Sequence, residues 1–333
     1  MHILIVHNTI IPAVKYGGIE RVIWSLGKAL VEKGHTVSYL VAKGSYCSFA
    51  KNVFYYDATK PFDIQVPNDI DIIHFNWKPE DAEITKPYIV TQHINVNRPV
   101  KFDKNIVFIS QNHAERHGSN VFVYNGLDWN EYPKAHISQK PKTDYFHFLG
   151  AARWKVKNVK SAIAITKLAG NKLEVLGGKR LNFTMGFRFT TDLHVKFRGN
   201  VDDKVKANIM QNSKGLVFPV LWHEPFGLCI IESLFYGCPI FATPYGSLKE
   251  LVPNEAGFLS NSETELANAL KRVGDFDRNY CHNYAAENFK AQVMANNYLK
   301  LYEKVLNGES LHTIAPEFKD RNIQKEKYLE MLP

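Results

Sequence analysis

Short runs of consecutive apolar residues, each of strand length, recur along the chain at residues 1–7, 71–75, 88–93, 121–124, 145–150, 173–176, 194–197 and 215–220. Between them lie segments whose apolar residues fall three and four apart, the mark of a helix with one buried face. The alternation predicts an α/β chain with open parallel sheets covered by helices. The first helix is expected from Gly18 to Lys33, with Val22, Leu26, Ala29 and Leu30 on its core face and Gly34 closing it. Further helices are expected at 158–169, 202–211, 247–251, 263–273, 278–289 and 291–306, and a strand starts at Cys238. Residues 133–143 are polar, include Pro133 and Pro141, and hold no sustained period, so the interdomain linker is placed there. Domains are then expected at 1–142 and 143–290, with 291–333 forming a C-terminal helix and a charged, peripheral tail.

The segment 222–243, WHEPFGLCIIESLFYGCPIFAT, follows the apolar run 215–220. A strand leading into a helix is expected, the helix opening at His223 and Glu224 with Pro225 in its first turn and stopping at Tyr236 and Gly237. Glu224 and Glu232 would then share one helix, roughly 80° apart around the axis and about 12 Å apart along it. The amides of Phe226, Gly227 and Leu228 would sit in the first turn, where backbone N–H groups lack helical partners and attract anions. Acid, anion-seeking amides and acid in line match the order of sugar, diphosphate and ribose.

EPFGLCIIE resembles the Glu-x7-Glu signature of the family-4 retaining glycosyltransferases. That resemblance implies the GT-B fold: two Rossmann-like domains whose parallel sheets face an interdomain cleft, the first on the acceptor side and the second binding a nucleotide sugar. It implies that Glu224 contacts the donor sugar and Glu232 the ribose, and that the C-terminal helix within 291–333 crosses back to the first domain. Gly17 and Gly18, in GGIER, resemble the family's glycine loop at the donor phosphates, although a glycine pair is also ordinary turn chemistry. His93, in TQH, resembles a strand-end histidine facing the donor sugar; a structural histidine is the alternative. Arg153 and Lys157, in AARWKVKN, resemble the Arg/Lys site that neutralises the diphosphate without a metal. Their spacing is one residue shorter than the family pattern, and an alanine takes the usual arginine position. Asn200 and Val201 are expected to line the base pocket. Asn125 to Asp128, NGLD, is similar to a turn near the cleft and is equally common turn chemistry.

Composition changes this picture little. The chain of 333 residues is 45% hydrophobic and 22% charged, with room for two cores. Its net charge of +8 is concentrated in the middle: residues 147–306 hold 21 basic and 14 acidic side chains, against 16 and 14 in residues 1–146. Such a field suits a nucleotide diphosphate or a merely solvated surface. Aromatic–basic repeats and zinc-finger spacing are missing from the sequence, so nucleic acid is not expected. The spacing around Gly17 is not GxGxxG, against a dinucleotide oxidoreductase. Cys47, Cys229, Cys238 and Cys281 read as free thiols. His113 and His117 share a helix face, yet Ala114 stands where a zinc-protease motif needs Glu.

The reading is therefore a retaining, metal-independent enzyme that needs no cofactor and moves a sugar from a nucleotide-diphosphate donor to a hydroxyl of a glycan or lipid-linked acceptor. A sugar-nucleotide epimerase and a non-catalytic carbohydrate-binding protein stay open beside it. A cytoplasmic protein is expected, with peripheral contact at the inner face of the membrane also open.

Overall fold

In the computed structural model, residues 1–13, 17–80, 82–137, 141, 143–185, 187–318 and 329–333 are described. Parts of the expected glycine loop (14–16), linker (138–140 and 142) and tail (319–328) lie outside them. Chain contacts divide the protein into two units, Met1–Trp129 with Phe289–Ile323 and Asn130–Asn288 with Gln324–Pro333. The crossings thus fall at 129/130 and 288/289, where the sequence suggested 142/143 and 290/291.

The first unit is built on β1 (His2–Val6), β2 (Thr36–Val41), β3 (Asn52–Tyr55), β4 (Ile72–Phe75), β5 (Tyr88–Gln92) and β7 (Ile106–Phe108), with the short β6 (Val100–Lys101) outside the main sheet. Their order is β3-β2-β1-β4-β5-β7, parallel throughout. Helix α1 (Gly18–Glu32) buries Val22, Leu26, Ala29 and Leu30 as expected. The apolar-run criterion missed β2, because Thr36 and Ser38 interrupt it. Ser38 is nonetheless fully buried, its hydroxyl satisfied by His2 Nε2 at 2.8 Å. Residues 121–124 do not form the expected strand. Phe122 makes one isolated bridge to Phe108 at the sheet edge. The chain then turns where Gly126 lies against the Lys290 carbonyl, so close that a Cβ would come within 2.8 Å of it.

The C-terminal helix Ala291–Leu306 packs on α1 and β5 and closes this unit. It does so through a buried polar chain. His74 accepts or donates at both ring nitrogens, Nδ1 to Tyr302 Oη and Nε2 to Thr91 Oγ1, each at 2.7 Å, and Thr91 meets Tyr298 Oη at 2.9 Å. Each polar atom in the chain has a partner, which makes its burial tolerable.

The second unit repeats the plan with β8 (Tyr145–Leu149), β9 (Lys172–Leu176), β12 (Val195–Gly199), β13 (Leu216–Phe218), β14 (Ile240–Ala242) and β15 (Gly257–Leu259). The order β12-β9-β8-β13-β14-β15 is again parallel and again turns back beside its first strand. Helices α3 (Val159–Leu168), α4 (Asp203–Asn212), α5 (Leu228–Phe235), α6 (Leu248–Leu251), α7 (Glu263–Lys271) and α8 (Arg278–Asn288) connect or cover these strands. Asn158, Asp202 and Ser262 cap α3, α4 and α7 through their side chains. Buried Arg278 donates to the carbonyls of Ser213 (2.8 Å) and Tyr236 (3.2 Å), fixing α8 against the end of α5. Leu329 N bonds to Leu221 O and Leu332 N to Asn261 O, so the end of the chain packs on this unit instead of standing apart. All four cysteines are free.

Burial holds several histidines uncharged. His74, His113 and His147 are each lowered to about 3 by desolvation. The unfolded chain protonates them near the ordinary value of about 6.5 while the folded chain does not. Stability should therefore fall as pH drops from about 6.5 towards 3, by about 1.4 kcal/mol per pH unit for each such histidine. Thermal unfolding followed at pH 7.5 and pH 5.0 checks this; a midpoint that holds level between them would contradict it.

Candidate active site

In parallel sheets of this order, ligands bind beyond the strand ends where neighbouring connections run to opposite faces. In the second unit that point lies between β8 and β13. The loop after β8 carries the basic cluster, and the loop after β13 carries Glu224. Asn158 ties the two loops together: its left-handed backbone (φ 53°) starts α3, and its side-chain amide donates to Pro219 O at 2.9 Å.

The helix expected to hold both acids starts later than its sequence suggests. Gly227 has φ 85° and stands as N-cap, with α5 beginning at Leu228. A left-handed residue cannot lie inside a right-handed helix, so Glu224, Pro225 and Phe226 precede it. Only Glu232 is on the helix, and of the three expected first-turn amides only that of Leu228 belongs to it. Glu224 instead bridges to Gly246 in an extended segment. Its carbonyl accepts from Ser247 N at 2.9 Å, and Ser247 Oγ donates to Phe226 O at 2.7 Å. Gly246 makes this approach feasible, since a Cβ there would lie 2.3 Å from Glu224 N and 2.4 Å from Glu224 O.

This clamp presents the Glu224 carboxylate to the basic loop. Glu224 Oε2 accepts from Lys157 Nζ at 2.6 Å and from Trp222 Nε1 at 2.8 Å. Lys157 leaves a 3-10 turn, Lys155–Lys157, and its ammonium also lies over the rings of Trp222 (4.9 Å) and Phe218 (5.2 Å). The pair is largely buried, with side-chain exposures of 13% for Lys157 and 7% for Glu224. Removing either partner alone strands the other charge, at a cost of about 3–5 kcal/mol.

Glu232 has a different set of partners. Its Oε1 accepts from Lys206 Nζ at 2.6 Å and from Tyr132 Oη at 2.9 Å, and Lys206 also reaches Asp203 at 3.2 Å. The sequence reading missed Lys206 and Tyr132. Asp203 and Lys206 do show an i, i+3 charge spacing on α4, whereas Tyr132 lies in a stretch without periodicity. Arg153 and Lys155 are exposed on the same side of the loop as a cavity of about 300 Å³, which they line with Trp154, Lys160 and Arg188. Thus Lys157 and Glu224 are brought together and Arg153 is not part of their contact. Asn200 is exposed and Val201 partly buried just before α4. Burial pushes the Cys229 thiol up, beyond the range of a nucleophilic thiolate.

The first unit holds the remaining residues named from the sequence. Gly17 is the N-cap of α1 and Gly18 its first residue. A Cβ on Gly17 would lie 2.6 Å from Glu20 Oε2, and Glu20 Oε1 accepts from Thr9 Oγ1 at 2.9 Å. His93 follows β5, and its Nε2 bonds to Asn76 Oδ1 at 2.8 Å. An amide oxygen only accepts, so Nε2 carries the proton and the ring's Nδ1 is the basic face. Burial and nearby His7 lower His93 to about 3, so the ring is a neutral hydrogen-bonding group. His7 itself, at the end of β1, was not singled out from the sequence.

His113 and His117 are packing residues. His117 Nδ1 bonds to His113 O at 2.7 Å, and its ring stacks on Phe108. Among the described residues there is no group of three or more His, Cys, Asp or Glu placed to hold a metal.

With this geometry in place, similarity to known proteins becomes informative. The family model described as glycosyl transferases group 1 matches residues 143–275, which contain both acids and the basic loop. The O-antigen chain mannosyltransferase C of Escherichia coli is 22% identical over 374 aligned positions, covering 93% of this chain and 100% of that relative. The D-rhamnosyltransferase WbpZ of Pseudomonas aeruginosa is 26% identical over 220 positions, covering 54% and 56%. Among solved structures, the glycosyltransferase AviGT4 of avilamycin A biosynthesis superposes with a TM-score of 0.75 at 20% identity, covering 93% of this chain and 99% of that one. The Anabaena protein HepE in complex with UDP-glucose gives a TM-score of 0.62 at 16% identity, covering 91% and 100%. The fold is GT-B, and the chain is a glycosyltransferase. Together the comparisons support a group 1 glycosyltransferase.

The Gly246 clamp can be tested without substrate. Gly246→Ala should lower the free energy of unfolding by more than about 2 kcal/mol, since strain at positive φ adds to a collision with Glu224 backbone. Gly34→Ala, also at positive φ (84°) but facing open space, carries the strain alone. Equal losses in denaturant titrations of the two variants would rule the clamp out.

Proposed function

We propose that this glycosyltransferase is a family-4 retaining enzyme that uses a nucleotide-diphosphate sugar and needs no metal. The observation that carries the reading is the Lys157–Glu224 pair, a cation and an acid in contact beside the switch point of the second unit. A diphosphate leaving group accumulates negative charge as its bond to the sugar breaks, while the ring becomes positive. Lys157, with Arg153 and the amide of Leu228, supplies fixed positive charge for the first. Glu224 faces the second. Its bonds to Lys157 and Trp222 hold the carboxylate in one orientation, as an acid that grips a sugar hydroxyl and offsets oxocarbenium-like charge needs.

Retention follows from a displacement on one face. The acceptor hydroxyl oxygen attacks the anomeric carbon from the side the diphosphate leaves, and the departing phosphate oxygen takes the hydroxyl proton. One C–O bond breaks, another forms, and no enzyme nucleophile intervenes. Glu232, held by Lys206 and Tyr132, takes the ribose, with Asn200 and Val201 at the base. Within the first unit, Gly17, Gly18 and neutral His93 stay candidates for donor contact in their own right, the histidine as a hydrogen-bond partner for a sugar hydroxyl. The relatives named as mannosyl- and D-rhamnosyltransferases favour a donor of the manno configuration and a growing glycan as acceptor.

Glu224→Gln keeps a hydrogen-bond acceptor for Trp222 and should remove sugar transfer while the protein melts as a folded chain. Full activity in that variant would reject the site. Lys157→Ala should weaken nucleoside diphosphate binding about tenfold to a hundredfold, the usual worth of a charge-assisted hydrogen bond. Calorimetric titration reads this directly, and unchanged affinity would take Lys157 out of the phosphate site.

A further inference from the structure

The second unit carries a small hairpin that the parallel sheet does not need. Strands β10 (Leu181–Asn182) and β11 (Arg188–Phe189) pair antiparallel, Leu181 opposite Phe189 and Asn182 opposite Arg188. Cross-strand partners share a face, so Leu181 and Phe189 stand on one side of the ribbon and Asn182 and Arg188 on the other. Phe183 and Phe187 lie just beyond the paired residues, their ring centres 5.9 Å apart. These side chains are in water: Phe183 is 72% exposed, Phe187 73%, Met185 61% and Phe189 57%. Four large apolar side chains, each more than half exposed within seven positions, form a patch of the kind that marks an interaction site.

The charge around the patch has one sign. Residues 151–200 contain eleven Lys and Arg against two acids, Glu174 and Asp192. Both acids are already engaged, Glu174 by Arg198 at 2.5 Å and Asp192 by Lys167 at 2.8 Å. Lys179, Arg180 and Arg188 flank the hairpin. Arg180 donates to Thr190 O at 2.8 Å and Arg188 to Lys179 O at 3.0 Å. Carbonyls shape the ribbon but cancel no charge, so the apolar tip stands on an uncompensated cationic base.

We propose that this hairpin docks the second unit on an anionic lipid bilayer, with Phe183, Phe187 and Phe189 entering the boundary between headgroups and acyl chains and the flanking cations facing lipid phosphates. An apolar edge with unpaired positive charge behind it complements such a surface on both counts. A fluid bilayer also asks for no shape match, which suits strands of two residues each. Among the described residues no helix is long and apolar enough to cross a membrane, so the contact is peripheral. The inference stands apart from the sugar-transfer reading, since none of its residues is assigned to donor or acceptor.

The test uses the full chain and vesicles of phosphatidylcholine, with and without phosphatidylglycerol, beside a Phe183→Ser, Phe189→Ser double variant that leaves the cavity-lining Met185 and Phe187 in place. Co-sedimentation should show the wild type binding anionic vesicles about tenfold or more tightly than neutral ones, less so in added salt. The double variant should lose about tenfold or more of that binding while its circular dichroism and melting stay unchanged. A wild type that stays in the supernatant, or a double variant that binds as well as the wild type, overturns the proposal. Sedimentation velocity without lipid covers the rival occupant: a dimer that the double variant abolishes would assign the face to a second copy of the chain and overturn the bilayer.

Discussion

The candidate site depends on a backbone contact, the approach of the 246–247 turn to Glu224. Gly246 lets the turn come close enough for Ser247 to take the Glu224 carbonyl, and Ser247 Oγ then fixes Phe226. The backbone at Glu224 and Phe226 is thereby held in place outside the helix until Gly227 leads it into α5. Because this segment is fixed, the Glu224 carboxylate meets Lys157 and Trp222 at hydrogen-bond distance. The ammonium in turn is boxed by the rings of Phe218 and Trp222. A buried ion pair is weak evidence for stability, as desolvation offsets most of its attraction. Its value here lies in orientation: a rigid pair costs no reorganisation when charge develops nearby.

The same separation of tasks recurs across the chain. Polar groups that are fully enclosed and mutually satisfied, such as His74 with Tyr302 and Thr91 or His147 with Ser213 and Ser233, hold helices to sheets. Polar groups at the strand ends, such as His93 and Glu224, have partners on one side only of their functional atoms. Both kinds are buried, and burial alone does not tell them apart. Position relative to the sheet does: His74 and His147 lie within strands, His93 and Glu224 just past them.

Much of the fold was legible because buried parallel strands write themselves as apolar runs and their helices as a 3.6-residue period. The elements around Gly18, Asn158, Asp202 and Ala291 lie within a residue or two of where the sequence puts them. The strands not placed from the sequence include β2, where Ser38 is buried but polar, the edge strand β3, which has little to bury, and β7, an apolar run of only three residues. At the candidate site, the sequence named Glu224, Glu232 and Lys157 as candidates and misplaced the helix. The motif looks like nine helical residues, yet Gly227 reads the same in sequence whether it caps or continues. Gly246 and Lys206 escaped notice because their roles are long-range, one a backbone approach across 22 residues and the other an ion pair across 26. Pairings of that kind exist only once the sheet has formed.

The first unit is assembled from both ends of the polypeptide, since Met1–Trp129 is completed by residues from Phe289 onward. During translation its six strands leave the ribosome long before Tyr298 and Tyr302 do. Until those tyrosines arrive, His74 and Thr91 have only each other to bond to, and the sheet face under the last helix is bare. The nascent first unit is therefore a sticky, unsealed intermediate while residues 130–288 are synthesised, and a chain truncated before Ala291 would retain that unsealed face for good.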